Sequence, residues 1–158
     1  MFGKSIYFFY KALLFGIAAY AVIPKPEFKR YLLYGFIFGA IGDVIMVTLT
    51  GPILNLIKYH NMGPFSVFGL FSFWTPIAWM FAFMLFFYFL PARRAFLYPY
   101  IVGFSIFGYM VGLVLSGLGL FDYIGFYKYS ALIVFIVWFS IAAYAYLKIG
   151  NIKLKPLN

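Results

Sequence analysis

Phe65-Ser66-Val67-Phe68-Gly69-Leu70-Phe71-Ser72-Phe73-Trp74-Thr75-Pro76-Ile77-Ala78-Trp79-Met80-Phe81-Ala82-Phe83-Met84-Leu85-Phe86-Phe87-Tyr88-Phe89-Leu90 runs for 26 residues without a charged side chain. As one helix it would reach about 39 Å, against roughly 30 Å of bilayer hydrocarbon. As a membrane span it must tilt, protrude or bend. Pro76 in its middle predicts a kink, because the ring removes a backbone donor and crowds the carbonyl of Ser72.

Outward from this run, Lys58-Tyr59-His60-Asn61-Met62-Gly63-Pro64 on one side and Pro91-Ala92-Arg93-Arg94 on the other combine charge with helix breakers. The same punctuation recurs at Pro24-Lys25-Pro26-Glu27-Phe28-Lys29-Arg30 and from Asp122 to Lys128. It leaves five apolar runs, at about 5–23, 31–50, 65–90, 97–121 and 129–147, near the roughly 20 residues that a spanning helix needs. The expectation is an all-α, polytopic membrane protein with five transmembrane helices in a single domain over residues 1–158. Ile53-Leu54-Asn55-Leu56-Ile57, following Gly51-Pro52, is too short to span and is expected to form one or two turns at the interface.

Composition agrees with this class. The 158 residues are 66% hydrophobic, 26% aromatic and 9% charged, far from the balance of a water-soluble domain. The absence of Cys removes disulfides, thiolate metal sites and a cysteine nucleophile, and a single His cannot build a histidine cluster. No phosphate-binding loop is present, so no cofactor and no metal are expected. The net charge of +9 would suggest nucleic acid in a soluble domain, but here the cations sit in short loops between apolar runs and report topology. With the N-terminus outside, Lys25, Lys29, Arg30, Arg93, Arg94, Lys148, Lys153 and Lys155 fall on the inner side, against Lys4, Lys58 and Lys128 outside. The excess favours an N-out, C-in protein of the cell membrane, with the lipid bilayer as its surroundings and no nucleic acid as partner. Ala19-Tyr20-Ala21 resembles a signal-peptidase site. Cleavage would require Lys25, Lys29 and Arg30 outside, against the same bias, so the first run is expected to remain a helix.

The three acids fall at different depths: Glu27 in an inner loop, Asp122 in an outer loop and Asp43 inside the second run. They cannot form a paired-carboxylate acid and base, and His60 lies in an outer loop, so no catalytic set is expected and the protein is read as a non-enzyme. Asp43 stands out because an ionisable group inside a membrane helix is costly and normally faces the bundle interior. Lys11 lies at a matching depth of about 10 Å in the neighbouring first run, and an interhelical Lys11–Asp43 ion pair is expected. Asp43 reads either as this packing element or as an ion- or solute-coupling residue.

Small residues form two stripes, Gly35, Gly39 and Gly42 in the second run, and Gly108, Gly112, Ser116 and Gly119 in the fourth. Such faces let backbones approach, and the two runs are expected to contact each other or a shared neighbour. Tyr31, Tyr34, Tyr98, Tyr100, Tyr123, Tyr127, Tyr129 and Tyr146 lie near run ends and read as interfacial anchors. Trp74, Pro76 and Trp79 could line an apolar pocket at the kink.

The spacing of the runs over nearly the whole chain, with Gly42-Asp43 in the second, Phe89-Leu90-Pro91-Ala92-Arg93-Arg94 after the third and Tyr127-Lys128-Tyr129-Ser130-Ala131-Leu132 opening the last, resembles small uncharacterised five-helix integral membrane proteins of Gram-positive, often spore-forming bacteria. The resemblance implies an architecture and no activity. Tryptophan-rich five-helix sensory proteins have a similar size, but three Trp and no Pro-rich first loop beyond Lys25-Pro26 set this chain apart from them.

The functional expectation is an accessory or structural subunit that acts by helix packing with itself or with other membrane subunits. The alternative is a transporter or channel component coupled through Asp43, and a further one is a binder of an apolar ligand or lipid.

Overall fold

A computed structural model describes residues 3–156. Five helices dominate it: α1 (Ile6–Val22), preceded without a break by a 3-10 turn at Gly3–Ser5; α2 (Lys25–Ile53); α3 (Trp74–Tyr88); α4 (Arg94–Gly117); and α5 (Tyr127–Ile149). Four stretches are long and apolar enough to cross a membrane, namely Gly3–Val22 and helices α2, α4 and α5. The five-span expectation is corrected here. At 15 residues, α3 reaches only about 22 Å, short of the roughly 30 Å hydrocarbon thickness.

The correction arises within the opening stretch. Only its second half is helical: Gly63–Phe65 is a 3-10 turn, and Ser66–Val67 (β1) pairs antiparallel with Phe71–Ser72 (β2) as a small hairpin. Phe68 and Gly69 at its tip both take positive φ, +50° and +72°, and the Leu70 N–H donates to the Val67 carbonyl at 2.9 Å. Val67 to Leu70 thus form a mirror-image turn of the kind whose twist suits hairpins, inside a three-residue loop closed by the Val67–Phe71 pair. Pro76 consequently lies in the first turn of α3, where its missing N–H costs little, and the expected mid-helix kink does not arise.

Helix α2 is longer than the run expected for it. It begins in the basic loop with Pro26 in its first turn and continues through π-helical turns at Gly35–Ile41 and Leu49–Ile53, the second containing Pro52. The chain then enters a second antiparallel ribbon, between Ile57–Tyr59 (β3) and Phe121–Tyr123 (β4), with Lys58 opposite Asp122. Ile53 to Ile57 is therefore the end of α2 and the lead into a strand, not separate interfacial turns. Helix α4 ends in a turn that explains Gly119: the Leu120 N–H donates to the Leu115 carbonyl and the Gly119 N–H to that of Ser116, both at 2.9 Å, with Gly119 at φ +70°. Gly119 terminates the helix and is no part of a packing stripe, because this closing motif needs a left-handed residue just past the helix. Ser116, half-buried, supplies one of the capped carbonyls.

Lys4 and Lys155 lie at opposite ends of the bundle. Lys4 Nζ donates to the Leu118 carbonyl at 3.1 Å beside the β3–β4 ribbon, while at the far end the Arg94 N–H donates to the Lys155 carbonyl and the Lys155 N–H to that of Ala92. Eight cations lie at or near this far end, Lys25, Lys29, Arg30, Arg93, Arg94, Lys148, Lys153 and Lys155.

Helix α3 is the centre of the packing. Thr75, Ala78, Trp79, Ala82, Phe83, Met84, Phe86 and Phe87 are all buried. Phe83 and Phe86 each lie 4.8 Å from the Phe139 ring of α5, and Phe87 stacks on Tyr146 at 4.8 Å. Tyr31 and Tyr146 are therefore core residues, 7% and 4% exposed, rather than the interfacial anchors their positions suggested. Gly35 and Gly39 give α2 its approach to α3. A Cβ on Gly35 would fall 2.5 Å from the Met80 carbonyl oxygen, and one on Gly39 would meet the Trp79 carbonyl still more closely. A Cβ on Gly103 of α4 would meet nothing within 4 Å. Gly39→Ala should therefore destabilise the fold by about 1–3 kcal/mol, as overpacking does. Gly103→Ala should be neutral or stabilising by up to about 1 kcal/mol through helix propensity. Thermal unfolding of the two variants in one detergent checks the contrast in sign.

Candidate functional site

Between α1, α2, α4 and α5, beneath the β3–β4 ribbon, lies a cavity of about 60 Å³. Its wall is mostly apolar, with Val47 and Met46 of α2, Val111 and Leu115 of α4, and Phe135 and Trp138 of α5. Into this wall project Lys11, Asp43, Thr50, Tyr59, Tyr123 and Tyr127. The strands deliver their tyrosines by period-two alternation: Ile57, Tyr59, Phe121 and Tyr123 turn inward while Lys58 and Asp122 stay exposed.

Asp43 is 3% exposed, and its Oδ2 is buried without a hydrogen-bond partner. Lys11 lines the same cavity, with Nζ 5.9 Å from the Phe8 ring centroid. The two charges face one space but do not close to contact. Among the described residues, the pair at ion-pair distance is His60–Asp122, at 2.9 Å on the outside of the ribbon. The expected direct Lys11–Asp43 bridge thus becomes an acid and an amine that face one another across a shared cavity. Burial, then the Asp43 carboxylate and Tyr123, push the Tyr59 phenol well above its ordinary pKa, and burial does the same to Tyr123. Both ring hydroxyls therefore remain protonated donors at neutral pH. Thr50 has its own hydroxyl committed to the Met46 carbonyl at 2.6 Å.

A buried oxygen without a partner is expensive, and the Asp43 Oδ2 shares that condition with the Ser72 and Thr75 hydroxyls and the Trp74 indole N–H; among these residues, Asp43 and Trp74 line concavities, Asp43 the one that Lys11 also faces. The cavity has room for a few water-sized groups. No group of three or more His, Cys, Asp or Glu residues that could hold a metal occurs among the described residues.

The ribbon is tied down at several points. The His60 N–H donates to the Leu120 carbonyl at 2.9 Å, the Ile124 N–H to Leu56 at 2.8 Å, and Asn61 Nδ2 to Gly119 at 3.1 Å. Gly112 serves this closure: a Cβ there would collide with the Tyr123 hydroxyl. Its expected role against another helix is corrected accordingly, since what it admits is a side chain of the ribbon. Gly42 faces the Trp138 ring, and Gly108 faces Phe135 of α5 and Trp79 of α3. The stripes of α2 and α4 thus meet shared neighbours, α3 and α5, rather than each other. Trp79 lines the cavity, whereas Trp74 lines a separate lateral groove between α1 and α3; Pro76 lines neither. Tyr59 and Trp138 carry no expectation from the sequence, and Tyr123 and Tyr127 read there as anchors. The usable signal is the pair of tripeptides Ile57-Lys58-Tyr59 and Phe121-Asp122-Tyr123, each alternating apolar and charged.

Comparison with protein-family models, with curated proteins and with solved structures finds no match to this chain.

If the opposite charges of Lys11 and Asp43 support each other across the cavity, Lys11→Met and Asp43→Asn should each lower the unfolding temperature, and the double variant should recover part of the loss. The coupling expected from this double-mutant cycle is about 0.5–3 kcal/mol. Additive losses would mean that the two charges are held independently.

Proposed function

We propose that this chain is a non-enzymatic, multi-pass protein of the cell membrane, oriented N-out and C-in, and that it binds a small ion or polar solute between Asp43 and Lys11 as a transporter or channel component. The observation that carries this reading is the Asp43 Oδ2, buried and unpartnered in a cavity shared with a cation. An intramembrane acid facing an internal cavity marks solute and ion sites more often than it marks packing alone. The orientation draws support from the cations gathered at the end of the bundle opposite the β3–β4 ribbon.

A second reading is the accessory or structural subunit. It draws on the broad apolar faces left open on α1 and α5, where Leu14 and Ile17, and Ile133, Val137 and Ile141, are all more than half exposed. Lipid or another subunit would cover them.

Two measurements test these readings. In a chain without native Cys, Asn61→Cys should react with an impermeant maleimide on intact cells and Lys153→Cys should not; the reverse pattern would invert the orientation. Purified protein should gain thermal stability from at least one of a panel of alkali cations, ammonium, halides and small zwitterions, and Asp43→Asn should abolish the gain. A flat response across the panel, with co-purification of a stable membrane partner, would instead establish the subunit reading.

A further inference from the structure

Larger than the Asp43 cavity is a lateral groove of about 450 Å³ between α1 and α3. Its floor is Ala12 and Gly16 of α1 with Phe81 of α3, and Phe28 of α2 and Trp74 of α3 stand at its two ends. A Cβ on Gly16 would press on the Phe81 ring at 3.1 Å, so the glycine contributes to the depth of the floor. The α1 side is an open lip: Leu13, Ile17 and Tyr20 are 44%, 59% and 69% exposed. On α1 the groove runs from Phe9 to Ala21, about 18 Å along the axis, somewhat more than half of a roughly 30 Å hydrocarbon core. Its wall carries almost no polar surface, so a polar solute gains nothing there.

The two ends differ. At the Trp74 end the wall is aromatic, with Phe9 at 4.9 Å and Phe65 at 5.5 Å from the indole. The other end closes on Phe28, whose ring meets Tyr20 edge-on at 6.3 Å, and there the first turns of α2 present Lys25 and Lys29, both exposed. Arg30, by contrast, lies over the Tyr31 and Tyr146 rings at 5.9 and 5.7 Å, and so is engaged with the core. An apolar groove about one leaflet deep, ending at Phe28 on a turn that carries the exposed Lys25 and Lys29 with Glu27 between them, followed by Arg30, is complementary to one class of molecule.

We propose that the α1–α3 groove is a binding site for an anionic phospholipid, one acyl chain lying along Gly16 toward Trp74 and the headgroup phosphate held by Lys25 and Lys29. Cations near a membrane surface attract anionic headgroups, and a concave apolar wall holds a chain that a flat helix face would exchange with bulk lipid. The site rests on the membrane location and orientation proposed above, which cysteine labelling tests separately, and is independent of the Asp43 cavity.

The test uses full-length protein in phosphatidylcholine bicelles titrated with phosphatidylglycerol, read by thermal unfolding and by native mass spectrometry of retained lipid. Phosphatidylglycerol should be retained in preference to phosphatidylcholine. The surface variant Lys25→Gln/Lys29→Gln should keep the fold and weaken that preference on the order of tenfold. Ile17→Phe, on the groove lip, should reduce retention of both lipids by occupying the channel. In a Trp79→Phe/Trp138→Phe background, acyl-brominated phosphatidylglycerol should quench Trp74 at a lower mole fraction than brominated phosphatidylcholine does. Equal retention of the two lipids, or an unchanged preference in the double Lys variant, would reduce the groove to ordinary annular lipid. Efficient disulfide dimers of Ile17→Cys in bicelles would assign it to a second copy of the chain; either result overturns the proposal.

Discussion

Backbone contact between α2 and α3 is the constraint on which the rest of the molecule depends. Within lipid, apolar side chains gain little by leaving the surrounding hydrocarbon, so helices associate through close packing and polar contacts. Gly35 and Gly39 remove two side chains where α2 passes the Met80 and Trp79 carbonyls, which lets the longest helix lie directly on the shortest. The π-helical turn over Gly35–Ile41 falls at this crossing. From that contact α3 acquires its central place, its Phe83, Phe86 and Phe87 rings packing onto Phe139 and Tyr146 of α5. Such aromatic pairs contribute about 0.5–1.5 kcal/mol each beyond area burial. Tyr100 adds a polar tie, its hydroxyl donating to the Phe86 carbonyl at 2.7 Å.

A buried α3 explains how its short length is tolerated. Irregular backbone is costly in lipid when its polar groups go unpaired, and the hairpin before α3 is exposed at its tip, where Phe68 is 94% exposed. The hairpin before α3 pairs its own backbone and returns the Phe73 N–H to the Phe65 carbonyl at 2.8 Å. A helix shorter than the bilayer thus sits within a ring of helices long enough to span it.

The same end of the bundle makes the candidate site. The β3–β4 ribbon joins the loop after α2 to the loop after α4, and its inward tyrosines close the space that Asp43 and Lys11 share. Gly112 admits the Tyr123 hydroxyl, so a residue that looks like a helix-packing glycine seats the lid of a cavity. Because Asp43 is reached from three directions, by α1, by the ribbon and through α2 itself, its surroundings depend on the whole ribbon end and on no single motif.

The sequence alone determined the membrane-like class, the positions of four long apolar helices, the clustering of cations toward one end, and Asp43 and Lys11 as unusual charges at matching depth. Each of these follows from local composition and from a rise of 1.5 Å per residue, which need no knowledge of neighbours. Tertiary structure decided the rest. Whether Phe65–Leu90 is one kinked span or a hairpin and a short helix depends on what surrounds it, since 26 uncharged residues satisfy either reading. Tyr31 and Tyr146 could be anchors or core, and Gly112 and Gly119 could be packing or closure, because a tyrosine near a helix end and a glycine in an apolar run look alike until a partner is placed. Strands of three residues, whose alternation of apolar and charged side chains is too brief to mark a strand unaided, exist only because Ile57–Tyr59 and Phe121–Tyr123 meet. A backbone hydrogen bond between residues more than sixty positions apart is a property of the folded chain and leaves almost no local mark.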